Sequence, residues 1–195
     1  MLLSLQSTSI QSLIGYTWQA LGLVWLAGMA FTKPTLRAQP HGPRLFHSAL
    51  VLLGLFLLGS TSLARGWLAI RFLPDNPAVG FAALAITIAG CLFAVWARVT
   101  LGDNWSGRAT VKAGHQLITN GPYALARHPI YTGLMLAALG TALAAGQLRA
   151  PLGLLLLLLG FLIKMSQEER LMMETFPQAY PAYRHRVKAL IPGIL

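Results

Sequence analysis

Charge is scarce in this chain. Of its 195 residues 10% are charged, and only 5 are acidic, against roughly 25% charged in an average soluble domain. A soluble domain of this length needs a charged coat that so few side chains cannot supply. That argues against a water-soluble enzyme. A hydrophobic content of 55% argues equally against a disordered chain. Cysteine is nearly absent too. Cys91 has no intrachain partner, which excludes an internal disulfide framework and a multi-cysteine metal site. It lies in an apolar run and reads as a packing or lipid-facing residue. There is no HExxH, CxxC, carboxylate cluster, Walker loop or GxGxxG, so no metal is expected. No internal repeat is visible, which counts against a transporter built from inverted halves.

Long apolar runs are abundant. With a mean hydropathy of +0.61, the composition points to an integral membrane protein. The first run covers Ile10 to Phe31, the second 45–64, the third 78–97, the fourth Ile130 to Gly146 and the fifth Pro151 to Ile163. A helix of about 20 apolar residues crosses a hydrocarbon core of about 30 Å. None of the runs alternates with a period of two, which argues against a membrane barrel. Only Gln147-Leu148-Arg149-Ala150 joins the last two runs, so they are expected to form an antiparallel helical hairpin. The expected fold is an all-α integral membrane bundle of about five transmembrane helices, forming a single membrane domain. A C-terminal amphipathic segment follows on the cytoplasmic side.

The net charge of +10 would suggest nucleic acid in a soluble protein. Here the aromatics lie mostly in apolar segments rather than between basic residues, so no nucleic-acid partner is expected. The basic residues instead collect in alternate connectors. Residues 32–44, 98–129 and 164–195 hold twelve of the fifteen, and Arg65, Arg71 and Arg149 lie on the other side. By the positive-inside bias the N-terminus is expected outside and the C-terminus in the cytoplasm. In the first connector His41 and His47 form at most a weak candidate metal pair.

The polar chemistry gathers in two stretches. One runs from His115 through Tyr123 to Arg127-His128-Pro129-Ile130-Tyr131. Pro129 suits the first turn of a helix, so the fourth span is expected to start near His128. Its helix start favours an anionic ligand group. An ordinary interfacial boundary is the plain alternative, because Tyr, Arg and His all favour the headgroup layer. The other stretch is Lys164-Met165-Ser166-Gln167-Glu168-Glu169-Arg170, just after the fifth span. Lys164 and Glu168 are four apart and share one helical face. A charge following so apolar a run is a functional candidate, with snorkelling to the interface as the competing account. A hairpin brings both stretches to the same membrane face, where they must meet. Further on, Phe176, Tyr180 and Tyr183 fall at helical spacing. That segment reads either as a surface anchor, with Arg184, Arg186 and Lys188 toward phosphates, or as a lid.

The ordered set Gly121-Pro122-Tyr123, Arg127-His128-Pro129-x-Tyr131, a leucine-rich hairpin, Glu168-Glu169, Phe176, Tyr180 and Tyr183 resembles the isoprenylcysteine carboxyl methyltransferase family. It also resembles the related phospholipid methyltransferases. The resemblance covers roughly residues 98–192 and includes Gly102-Asp103-Asn104-Trp105-Ser106. It implies an integral membrane methyltransferase that uses S-adenosylmethionine. It assigns His115, Gln116, Leu117, Ile118, Tyr123, His128, Pro129, Ile130 and Tyr131 to cofactor binding. Glu168 matches the acidic residue that holds the cofactor, and Lys164 stands where an arginine orienting the substrate carboxylate is expected. Lysine keeps that charge but lacks the bidentate fork. The catalytic pair is then Lys164 and Glu168. Residues 1–97 would supply the first three helices, and 98–195 the cofactor loop, the hairpin and the C-terminal segment. The implied acceptor is a lipid or lipid-modified small molecule arriving from the bilayer. The alternatives are a phospholipid or amine N-methyltransferase, and a non-enzymatic membrane lipid-binding protein.

Overall fold

The structure, a computed structural model, describes the backbone of residues 2–30, 35–38, 41–105, 110–112 and 116–194, and side chains within 9–30, 45–105 and 116–194. Each apolar run is a helix: α1 Leu2–Met29, α2 His41–Gly59, α3 Pro77–Leu101, α4 Pro129–Ala145 and α5 Arg149–Thr175. A short α6, Ala179–Arg186, follows. Helices α3 and α5 are long and apolar enough to cross a membrane, and Leu45–Gly59 and α4 are shorter apolar helices.

The helix boundaries follow from local chemistry. Asn76 caps α3 by accepting from the Ala78 N–H at 2.8 Å, and Pro77 occupies the first turn. Helix α4 starts at Pro129, right after His128, as the sequence predicts, though the His128 side chain makes no capping bond. Gly146, at φ 59°, closes α4 with its N–H on the Ala142 carbonyl. The link between α4 and α5 is three residues, one shorter than expected, because Arg149 and Ala150 are already helical. The second apolar run extends past its helix. Helix α2 stops at Gly59, and Thr61–Leu63 is a 3-10 turn. Arg149 reaches across to hold that end, donating to the Leu57 and Leu58 carbonyls at 2.6 and 2.8 Å.

The bundle is all-α apart from one short ribbon between connectors: Thr35–Ala38 (β1) pairs antiparallel with Thr110–Lys112 (β2). Backbone bonding between connectors can occur outside the bilayer, and helical periodicity in the spans says nothing about it. The ribbon brings the first and third connectors to one end of the bundle. At the other end the second connector meets the α4–α5 bend: Phe72 N–H donates to Gly146 O at 2.9 Å, and Leu148 N–H to Ile70 O at 3.0 Å.

Although α4 and α5 are consecutive, each packs most closely on an earlier helix. Helix α4 lies along α3, and α5 along α2. Small residues explain the choice. Ala83, Ala94, Ala137 and Ala138 are fully buried. A Cβ on Gly133 would lie 2.6 Å from Ala94 N and 2.7 Å from Gly90 O. Gly54 and Gly153 meet backbone to backbone in the same manner, a Cβ on either lying 2.8 Å from the other's carbonyl oxygen. Such stripes let helix axes approach closely where lipid offers no hydrophobic drive. Helix α1 joins α4 through Trp18 Nε1, which donates to Thr141 Oγ1 at 2.9 Å. Cys91 is buried beside Leu21 and Ala137, a packing position.

Candidate active site at the end of the helix pairs

The two polar stretches meet. Arg127 Nε and Nη2 donate to Glu169 Oε1 at 2.9 and 2.6 Å. His128 Nε2 lies 3.3 Å from the same oxygen, and His128 Nδ1 lies 3.6 Å from Glu168 Oε2. Tyr131 Oη donates to Glu168 Oε1 at 2.8 Å. Lys164 Nζ is 3.9 Å from that oxygen and 5.7 Å from the centre of the Tyr131 ring. Tyr131 in turn stacks on Phe161, with ring centres 4.9 Å apart. Helical spacing sets this up: Lys164 and Glu168 on α5 face Tyr131 on the first turn of α4.

His128 is buried between two carboxylates. Burial alone would lower its pKa, but hydrogen bonds and charge from Glu168 and Glu169 outweigh it and raise the value. Tyr123 is pushed up, first by burial and then by the Glu168 charge. It stays a neutral phenol.

The C-terminal segment closes over this cluster. Arg127 N–H donates to Lys188 O at 2.8 Å and His128 N–H to Ala189 O at 2.9 Å. Thr132 Oγ1 donates to Leu190 O at 2.7 Å. The first two of these bonds occupy the backbone N–H groups just before α4. Tyr180 and Tyr183 are buried, and Tyr183 Oη donates to Tyr123 O at 2.6 Å. Arg184 Nε turns back to Glu169 Oε2 at 3.4 Å. Of the two readings of this segment, the contacts match a wall over a pocket.

That pocket is a cavity of about 570 Å³. Gln116, Leu117, Ile118, Tyr123, His128, Pro129, Ile130, Tyr131, Lys164 and Glu168 all line it. His115 lies outside the described residues, as does the side chain of His41. The first three helices contribute as well, beyond what the motifs imply. Trp25 comes from α1; His47, Ser48, Val51 and Leu52 come from α2; Leu101 comes from α3, with Asn104 and Trp105 just beyond it. Two polar residues in the apolar start of α2, His47 and Ser48, were the available signal. Among the described residues no three His, Cys, Asp or Glu side chains cluster as metal ligands.

Fold and cavity together define a helical integral membrane protein with a largely apolar pocket, carrying a few polar and charged groups, at one end of its helices. Residues 83–174 match the isoprenylcysteine carboxyl methyltransferase (ICMT) family, the family that the sequence motifs resemble. Over 101 residues the chain is 35% identical to a protein-S-isoprenylcysteine O-methyltransferase of Schizosaccharomyces pombe, covering 50% of this chain and 43% of that protein. Over 119 residues it is 30% identical to a probable protein-S-isoprenylcysteine O-methyltransferase of Oryza sativa subsp. indica, covering 60% of this chain and 62% of that one. The chain thus spans less than two thirds of each relative's length. Its fold is similar to a solved structure of the eukaryotic intramembrane Ras methyltransferase ICMT, with a TM-score of 0.51 and 24% identity, covering 80% of this chain and 55% of the other.

Proposed function

We propose that this chain is an S-adenosylmethionine-dependent methyltransferase that acts on a lipid or isoprenylated acceptor bearing a carboxylate. The observation that carries the reading is the single cavity wall shared by His128 and Tyr131 at the start of α4 and by Lys164 and Glu168 on α5. The donor set fits the methyl donor. A cavity of about 570 Å³ lies in the range of small-molecule sites. It offers an acid for an ammonium, cations for a carboxylate and aromatic faces that attract a sulfonium.

When bound, S-adenosylmethionine supplies a methyl group activated on a positively charged sulfur. This chain's residues align and enclose. Glu168, held by Tyr131 Oη at 2.8 Å, attracts the donor's amine. Lys164 orients the acceptor's carboxylate. A carboxylate is already ionised at neutral pH, so no general base is needed. Tyr180 and Tyr183 exclude water and help hold the reactants in line. Leu52 lines the cavity and is 66% exposed on the outer surface of α2. That supports entry of a lipid tail from the side, between α1 and α2.

The finer topology belongs to the same proposal. Five spans, an outside N-terminus and a cytoplasmic C-terminus agree with the charge bias and with the pairing of alternate connectors. A second reading, methylation of a lipid amine, is favoured by one observation. His47 brings an imidazole to the cavity wall, and an amine acceptor must lose a proton before it can attack. Transfer of a labelled methyl group separates the readings. A base-labile label on a prenylated cysteine supports the first reading, and a base-stable label in phospholipid supports the second. Failure to label either from protein that binds the donor leaves the lipid-binding alternative.

A further inference from the structure

Three side-chain atoms among the described residues are buried without a hydrogen-bond partner: Arg98 Nε, Asn104 Oδ1 and Gln167 Oε1. Asn104 is the one of these three residues that lines the cavity. We propose that Asn104 is a ligand-binding residue, and that its amide oxygen accepts an N–H or O–H donor from the molecule bound there. The inference rests on the methyltransferase reading of the cavity.

Asn104 is 8% exposed, so water does not compensate its oxygen freely. A carbonyl left unmet in such a place is destabilising, and proteins keep such groups where a ligand completes them. Its position is also fixed from both sides. It ends a 3-10 turn, Gly102–Asn104, that follows α3. Arg98 Nη1 pins the turn by donating to Gly102 O at 2.8 Å, and Arg98 Nη2 donates to Gly28 O at 2.6 Å. The same guanidinium lies 4.4 Å from the centre of the Trp105 ring, and Trp105 meets Trp25 edge to face at 6.4 Å. A turn braced this firmly on α1 and α3 holds the unmet Asn104 oxygen ready for a partner. The donor reaching it comes from the methyl donor or from the acceptor, and two probes distinguish these sources.

The test is the pair Asn104→Leu and Asn104→Asp in the full-length, detergent-solubilised protein. Leucine is close in size and removes the oxygen, whereas aspartate keeps an acceptor. The ligand-free Asn104→Leu protein is expected to melt at or above the wild-type temperature, because an unmet buried carbonyl has been removed. Its ligand affinity is expected to fall roughly three- to tenfold, the size of one neutral hydrogen bond, with Asn104→Asp recovering part of the loss. A weaker Kd for S-adenosylhomocysteine assigns the contact to the methyl donor. A raised KM for a prenylated cysteine, with that Kd unchanged, assigns it to the acceptor. If Asn104→Leu fails to fold, or melts lower while binding both probes like wild type, the amide is structural and the inference is overturned. A folded wild type that binds neither probe overturns the methyltransferase reading, and this inference with it.

Discussion

Arg127 and Glu169 are 42 residues apart in the chain, and their side chains meet at 2.6 Å. One lies just before α4 and the other near the end of α5, so the contact records the bend between those helices. Glu169 also receives His128 and Arg184, and Arg127 also donates to Val187 O. Each partner therefore holds the C-terminal strap as well as the other. Removing one member leaves a charge in a poorly solvated place. Arg127→Ala is expected to cost about 3 kcal/mol, read from thermal melts in detergent. A double-mutant cycle with Glu169→Gln should show strong coupling; additive losses would mean that the pair contributes little.

His128 gives the fold a pH dependence of definite sign. Its pKa is raised in the folded protein, with the two carboxylates overcoming burial. Its stabilising contribution is therefore complete below the ordinary histidine value of about 6.5 and is lost as pH rises through the folded value. Wild type should lose melting temperature across that rise. His128→Gln should start lower and show a flatter profile. Parallel profiles would place the titration elsewhere.

In the proposed reaction Glu168 serves the methyl donor and Lys164 the acceptor. Lys164→Met should raise the KM of a carboxylate acceptor at least tenfold, about 1.4 kcal/mol, and leave S-adenosylhomocysteine affinity nearly unchanged. Lys164→Arg should retain or improve acceptor binding, since the fork suits a carboxylate. Kinetics with a prenylated cysteine reads both. If Lys164→Met affects only the methyl donor, the two roles are reversed.

The glycine stripes make a packing prediction with its own control. A Cβ on Gly133 would press on the α3 backbone, whereas one on Gly22 meets nothing within 4 Å. Gly133→Ala is expected to destabilise by about 1–3 kcal/mol through overpacking. Gly22→Ala should be neutral or stabilising by up to about 1 kcal/mol. Melting temperatures of the two variants decide the matter.

Much of the fold is legible in local chemistry. Pro129 behind His128 announces the start of α4, and the short link announces the bend into α5. The four-residue spacing of Lys164 and Glu168 puts both on the face that meets Tyr131. Helix partnership was less legible. Gly90, Gly133 and Gly140 are scattered among large apolar residues, and their contact appears only when two faces are superposed. The second run continues beyond Gly59 in hydropathy while its helix stops there. The part of the cavity built by Trp25, His47 and Ser48 depends on that same partnership. Reading the C-terminal half alone could not supply it.

The most direct measurement is calorimetric titration of S-adenosylhomocysteine into the purified protein, beside Glu168→Gln. Saturable binding at one site per chain is expected, weakened at least tenfold by the substitution while the variant still melts cooperatively. A folded wild type with no binding, or a Glu168→Gln protein that binds equally well, would contradict the proposed function.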